Sequence, residues 1–467
     1  MTAPVVVIGG GLAGLVAANR AAELGMAVTV FEQGAAENYP CNARYANGVL
    51  HVNYHEFSEP PADLLAVIEA ETAGFARPEL AKAMAETIGE AYRWVRANGA
   101  KVIRVPLNGA MRVILAPPRR TEPGGLHEGQ GGDYLLRALT QHLIKHGGTV
   151  TRGARVVSIE RTDGRCVGVT IERNGTTERV AASAVAICDG GFQGNPELVK
   201  KYLTARPDRV VVRNAATGRG DGLRMALALG AASFGMDRFY GHLLARRALS
   251  DPKLWPYPVL DSLALSGIVV GPDGCRVIDE GGGGVFMTNE LARLDDPAAT
   301  MAIFDQAIWT APTPGDPLSP NPYLLRAGGE LFEAPDLASL AAKAGLPTDA
   351  LRHTVEAYNA AVANGTTLSL TPKRSTRRRA PSPIVRPPFY AAPMCGGITY
   401  SMGGVLIDGD CRVLREDGSA IPGLYAAGST TGGLEGGPVA GYLGGLGKAI
   451  TFGYRAGGTI AREVKGE

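Results

Sequence analysis

The chain has 467 residues, enough for two or three packed domains rather than one. Charged residues make up 20% of it and the formal net charge is +2, a balance that points to neither a nucleic-acid partner nor a membrane surface. Hydrophobic residues make up 45%, and the 63 glycines follow no fixed period, which excludes a collagen-like chain.

Residues 5–8 (VVVI) read as a short strand buried on both faces, as in a parallel sheet. Gly9-Gly10-Gly11-Leu12-Ala13-Gly14 follows, then an apolar helix over about 12–24 and a second strand at 27–32. The apolar start is broken by glycines, Asn19 and Arg20, and has no basic leader, so it reads as strand and helix rather than signal peptide or membrane span. Residues 62–100 carry helical spacing, 132–147 form a helix that stops at glycine, and AVAICDGG at 184–191 is another buried strand running into glycines. From about 233 to 375 the texture changes to short strands, prolines and two helices near 336–345 and 348–364. The expected organisation is α/β. A Rossmann-like first domain (1–232) resumes at 376–467 around an inserted α+β capping domain (233–375). The basic run 373–379 (KRSTRRR) reads as a solvated loop, with docking of an anionic partner as the minor alternative. The six cysteines form no CxxC pair and read as reduced core thiols of a cytoplasmic protein, and no metal cluster stands out.

The glycine loop at 9–14 is a GxGxxG placed directly between a strand and a helix. Gly9 allows the tight turn, Gly11 the close approach of a pyrophosphate, and Gly14 the packing of helix on strand. The helix start opened by Leu12 and Ala13 offers unpaired N–H groups to the phosphates. Glu32 closes the second strand, where its carboxylate can accept both hydroxyls of an adenosine ribose. A second glycine-rich strand end, IPGLYAAGSTTGG at 421–433, lies several hundred residues away and must close on the same ligand, which favours the long FAD over NAD.

These pieces carry a family resemblance over nearly the whole chain. VVVIGGGLAGLVAANRAAELG, AVAICDGGFQGNPEL, TGRGDGLRMALALGA, GIVVGPDGCRVIDE, IFDQAIW, EAYNAAVANG and PPFYAAP…GGITYSMGGVLID…IPGLYAAGS resemble the flavoproteins of the fumarate reductase, succinate dehydrogenase and 3-ketosteroid Δ1-dehydrogenase superfamily. The final GYLGGLGKAITFGYRAG looks most like its tricarballylate dehydrogenase and ketone-desaturase branches. The resemblance implies an FAD domain with a cap and an active site between them. It implies FAD contacts at Gly9, Gly11, Gly14, Glu32, Gln33, the backbone of Val156, Asp221, Gly428 and the turn Gly444, Gly445, Leu446. Asn42, Ala43, Arg44, Asn47 and Gly48, in NARYANG, stand where the family wraps pyrophosphate and flavin. Ser429 replaces a glutamate common there, so one ribityl contact differs. NARYANG holds no histidine for covalent attachment, so FAD is expected to be non-covalent, although His51 lies nearby.

The same resemblance argues against a dicarboxylate substrate. Gly284 stands four residues after Glu280, where fumarate reductases carry their proton-donating arginine; Tyr400 replaces a substrate-binding histidine, and Tyr442 replaces an arginine. Two carboxylates need paired cations, because unpaired buried charge is expensive. Tyr442 resembles the tyrosine that ketosteroid dehydrogenases set against the substrate carbonyl, donating as enolate charge develops. Tyr240 and His242 are the candidate bases, and Tyr400 would orient substrate. Arg246 and Arg247 read mainly as a solvated face, with a substrate carboxylate as the lesser reading; Tyr134 and Arg112 border the expected pocket. The leading expectation is an FAD-dependent dehydrogenase that introduces a double bond alpha,beta to the carbonyl of a cyclic ketone or keto acid. Hydride would go to flavin N5 and the proton to a tyrosine or histidine. The alternatives are a reductase of an activated double bond and a flavin electron-transfer subunit working with a partner. The electron acceptor is not specified by sequence, with molecular oxygen among the candidates, and fold resemblance alone does not settle the reaction.

Overall fold

The computed structural model describes residues 3–107, 110–120, 122, 124–125, 127–311 and 320–467. Val5–Ile8 lies inside a six-stranded sheet, flanked by Val28–Glu32 and Ala184–Ile187, both parallel to it. Thr149–Arg152 extends one side; Ala420–Ala426 and then the antiparallel Arg412–Leu414 extend the other. The order therefore reverses at Val5–Ile8. The chain leaves to one side first and returns on the other, opening a crevice at the carboxyl ends of the strands. Both glycine-rich strand ends open into it.

The closing helix, Gly445–Lys465, packs along the first helix, Leu12–Glu23, through small residues. A Cβ on Gly453 would come within 2.6 Å of the Ala13 carbonyl, and one on Gly457 within 2.4 Å of that of Ala17. Glycine at these positions lets the two backbones touch, and this contact brings the C-terminal glycine segment over the N-terminal loop. The helical stretch expected over 62–100 is two helices, Pro61–Thr72 and Pro78–Ala97. Ala73 and Gly74, both at positive φ, end the first of them, and Pro78 starts the second.

A second sheet is built around Phe389–Ser401, a strand buried along its whole length. Val210–Val212 runs parallel to it; Phe239–Ala245, Thr300–Asp305 and Phe332–Ala334 pair antiparallel. Two strands of this sheet thus come from outside 233–375, and the layer extends from residue 210 to residue 401. The helices Leu337–Ala344 and Thr348–Ala363 are joined by further short ones, Asp261–Ser266 and Gly284–Leu291 among them.

The basic run at 373–379 is a largely exposed loop, as expected, with one member turned inward. Arg374 is fully buried, donating to the carbonyls of Leu265 and Arg379 beside Glu280. Glu280 is also fully buried and accepts from Val269 N at 2.9 Å and from the Arg276 guanidinium at 2.5 and 3.1 Å. Arg377 donates to the Glu71 carbonyl and Arg378 pairs with the Glu71 side chain, which ties the run to the helix Pro61–Thr72. Arg374 is buried because its guanidinium meets carbonyls and a carboxylate brought from far along the chain, while Lys373, Arg377 and Arg378 stay exposed. The described cysteines form no disulfide; four are buried, Cys41 is half-buried and Cys275 is exposed rather than a core residue. No described helix is long and apolar enough to cross a membrane.

Removing Glu280 leaves two buried guanidiniums without their carboxylate, the arrangement that costs most in a low-dielectric interior. We expect Glu280→Ala to lose about 3–5 kcal/mol of stability, read as a marked fall in the thermal unfolding midpoint, and Glu280→Gln to fall between the two.

Candidate active site

A continuous cleft of about 590 Å³ runs from the glycine loop, past Gly428 and Ser429, to the tyrosines between the two sheets. Gly11 has no atom within 4 Å of where a Cβ would sit, so this part of the loop is open to the cleft. A Cβ at Gly9 would come within 2.7 Å of the Cys188 carbonyl, and one at Gly14 within 2.0 Å of the Gly9 carbonyl. Glycine at 14 therefore serves packing, and Gly14 does not line the cleft. Leu12, Ala13, Gln33, Asn42, Ala43, Asn47, Gly48, Val156, Asp221, Gly445 and Leu446 do. Glu32 lies in the same wall, with Oε2 accepting from Gly10 N at 2.9 Å and Oε1 from Gly34 N at 2.7 Å. Each oxygen keeps a lone pair for a ribose hydroxyl. Burial holds its carboxyl above the usual range, and the two backbone N–H groups pull it back.

Arg44 and Gly444 are not in the wall. Arg44 is buried, ion-paired to Asp133, donates to the Glu37 carbonyl and lies over the Tyr39 ring. Gly444, at positive φ, caps the closing helix against the His51 carbonyl. Asp189 was not singled out by sequence reading. It ends AVAICDGG, accepts from Gly222 N at 2.7 Å, and its carboxyl is pushed by burial up to about 6. Its carboxyl also bonds to the Thr430 hydroxyl, while Asn42 Oδ1 and Gln193 Oε1 are buried in the cleft wall without a partner among the described residues. Open glycine, helix start and unfilled acceptors make a cradle that fits FAD: the loop for its pyrophosphate, Glu32 for its ribose, and the Gly428 to Leu446 side for its flavin.

At the far end four side chains form one hydrogen-bonded run. Phe239–Ala245 pairs with Phe389–Ser401 so that Tyr240 faces Tyr400, and the register shifts between Tyr240 and Gly241. Thr399 is the extra residue of that bulge. Its carbonyl accepts from Asn42 Nδ2 at 2.9 Å and its hydroxyl from Arg213 Nη1 at 3.1 Å. His242 Nδ1 lies 2.6 Å from Asp261 Oδ2, and His242 Nε2 lies 2.9 Å from the Tyr240 hydroxyl. A carboxylate only accepts, so the proton sits on Nδ1 and Tyr240 donates to Nε2. Asp261 is held by Leu243 N at 2.8 Å. Tyr442 stacks on Tyr240, ring centroids 3.8 Å apart and planes 6° apart, and its hydroxyl bonds to that of Tyr240.

Burial raises both phenols. For Tyr240 the Arg213 guanidinium and the Tyr442 hydroxyl oppose that rise, whereas Tyr240 and the Glu435 carboxylate push Tyr442 further up. Both phenols thus hold their protons, and the rise is opposed at Tyr240 and reinforced at Tyr442. Tyr400 is committed elsewhere, donating to both oxygens of Glu435 at 3.1 and 3.0 Å. Glu435 is fully buried and also accepts from Leu443 N at 2.9 Å, fixing the turn that carries Tyr442; Lys448 Nζ lies 3.8 Å away. Gly284 is next to Asp261, and a Cβ there would fall 1.9 Å from Asp261 Oδ2.

Asp261, Arg119 and Arg213 are cleft groups that sequence reading missed, as it missed Glu435 behind Tyr400. Only Glu435, a lone acid in a run of glycines, left a visible trace. Arg246 and Arg247 pair with Glu330 and Asp251 outside the cleft, Tyr134 is exposed, and Arg112 packs over Tyr54. His51 is a buried cleft residue whose Nδ1 accepts from Tyr54 N at 2.9 Å; burial pulls its imidazole down to about 4.

The chain is 26% identical over 366 residues to the NADH:acrylate oxidoreductase of Vibrio harveyi, covering 74% of this chain and 33% of that protein. It is 31% identical over 372 residues to the 4-oxocyclohexanecarboxylate 2-dehydrogenase of Sinomonas cyclohexanicum, covering 72% of this chain and 62% of that one. It thus spans between one third and under two thirds of the length of these relatives. Among solved structures, the 3-ketosteroid delta1-dehydrogenase of Sterolibacterium denitrificans superposes with a TM-score of 0.76 at 21% identity, covering 99% of this chain and 100% of that one, a shared fold. Residues 4–441 match the FAD binding domain family, and with the cradle described above the chain belongs to that family of flavoproteins.

Proposed function

We propose that the protein binds FAD non-covalently and desaturates the carbon pair beside the carbonyl of a cyclic ketone or keto acid. The observation that carries this reading is the run Tyr442–Tyr240–His242–Asp261, which ends in the same cleft as the FAD cradle. Similarity to a dehydrogenase of a cyclic keto acid supports it.

FAD supplies the acceptor for the hydride that leaves the beta carbon. The chain handles the proton and the developing charge. Tyr442, which holds its proton tightly, turns its hydroxyl to the substrate carbonyl and donates as enolate charge grows on that oxygen. Tyr240 takes the alpha proton while passing its own to His242 Nε2, and Asp261 faces the imidazolium that results. Tyr400 and Glu435 are positioning residues: their hydrogen bonds fix the turn that presents Tyr442. The cap excludes water from this end of the cleft. The same run could deliver a proton to a double bond, so the direction follows from the substrate and the electron partner. Molecular oxygen is one candidate for that partner.

The direct test is anaerobic. Adding saturated cyclic ketones and keto acids to the purified yellow protein should bleach the flavin and yield the enone. If none bleaches it, and dithionite-reduced flavin is instead reoxidised by an enone or enoate, the protein is a reductase. Tyr240→Phe should lower turnover by about 10²–10⁴ with FAD still bound, the range of a lost general base. Asp261→Asn should lower kcat by about a hundredfold or more and leave KM nearly unchanged, because it disturbs the imidazole and not the substrate wall. Acid precipitation should leave all of the yellow colour in the supernatant; colour retained in the pellet would mean a covalent flavin.

A further inference from the structure

Two arginines in the wall near the tyrosines have no carboxylate partner of their own, although Arg213 also bonds to Tyr240. Arg213 follows the strand Val210–Val212 and is only 6% exposed. Its Nη1 donates to Thr399 Oγ1 at 3.1 Å, and its Nε is buried without a partner among the described residues. Arg119 donates through Nη1 to the Tyr45 carbonyl at 2.9 Å and lies over the Trp255 ring at 5.3 Å. Its Nε and Nη2 are buried and unpartnered among the described residues. Those two nitrogens form one edge of the guanidinium fork, the edge that takes a carboxylate with two parallel bonds.

Neither arginine is ion-paired with a described carboxylate. The acid whose field reaches Arg213 is Asp261, and it is already taken by His242 and by Leu243 N. The two cations also oppose each other: burial first, then Arg213, pulls Arg119 down to about 9. Buried guanidiniums without anions, set close enough to repel, are an arrangement that needs an incoming negative charge. Both also act on Tyr240, which places them at the tyrosine end of the cleft and not at the glycine loop. The FAD pyrophosphate is therefore not the anion they await.

We propose that Arg119 and Arg213 form a subsite for a substrate carboxylate, so that the molecule turned over is a cyclic keto acid rather than a neutral ketone. The identity of the rest of that molecule rests on the desaturase reading; the anion subsite does not. A cation that only tuned Tyr240 would act on charged and neutral substrates alike, whereas a subsite separates them.

Calorimetry on the FAD-loaded protein can read this without turnover. Cyclohexanecarboxylate and cyclohexanecarboxamide share a ring and lack the ketone, so both bind without reacting. We expect the carboxylate to bind at least about tenfold tighter, the effect of one good charge-assisted pair. Arg119→Gln and Arg213→Gln should each bring the ratio close to one, and Arg119→Lys should keep part of it. Arg119 is less buried than Arg213, so its variants are the ones most certain to fold and retain FAD. Equal binding of acid and amide by the unaltered protein overturns the subsite, and so does a preference that survives Arg119→Gln. Carboxylate selectivity without flavin bleaching by any ketone or keto acid would keep the subsite and sink the desaturase reading. Bleaching by cyclohexanone as readily as by its ring-carboxylate analogue, with no selectivity in binding, would do the reverse.

Discussion

The antiparallel pairing of Phe239–Ala245 with Phe389–Ser401 governs where the reactive groups of the cleft sit. A strand paired along both edges cannot slide, because a one-residue slip would turn every side chain to the other face. Here the ladder sets Tyr240 opposite Tyr400, and a bulge between Tyr240 and Gly241 releases Thr399 from regular pairing. The freed carbonyl reaches Asn42 in the nucleotide-binding layer and the freed hydroxyl reaches Arg213. One irregularity in one ladder thus fastens the two layers together at the point where substrate and cofactor would meet. Gly241 is part of this device: a Cβ there would lie 2.1 Å from the Gly397 carbonyl, so a side chain would push the strands apart.

The phenols show how burial and neighbours divide labour between identical side chains. Tyr240, Tyr400 and Tyr442 are all raised by loss of water. What differs is the company each keeps. Tyr400 and Tyr442 feel the Glu435 carboxylate, which fixes their protons in place. Tyr240 has the Arg213 guanidinium opposing its rise and an imidazole accepting from it. Three tyrosines in one cluster thus have three different sets of partners without any change of residue type.

Much of the nucleotide half was legible in the sequence, because its chemistry is local. A strand, a glycine loop, a helix and an acid at the end of the next strand lie within residues 5–32, and backbone rules alone connect them. The second glycine-rich strand end was legible for the same reason. Tyr442, Tyr240, His242 and Tyr400 could be picked out by position, but their connections could not. Asp261 lies nineteen residues past His242 in a stretch that reads as a turn and short helix, and nothing in that spacing brings it to the imidazole. Arg119 and Arg213 sit in unremarked loops. In the basic run at 373–379 only Arg374 departs from a solvated loop, because an inward charge is not visible until its partners are, and Glu280 is remote in sequence. Arg44 was misplaced for a similar reason: its neighbours belong to the wrap around FAD, while its own guanidinium turns inward to Asp133.

Gly284 and Asp261 occupy one volume between them. The carboxylate that steadies His242 sits where any side chain at 284 would begin. A cation introduced at 284 would therefore meet a filled space, and clearing that space by shortening Asp261 would strip the imidazole of its support. The two positions can change only as a pair, and either intermediate is worse than both ends. A side chain at 284 and the carboxylate that holds His242 are thus sterically opposed.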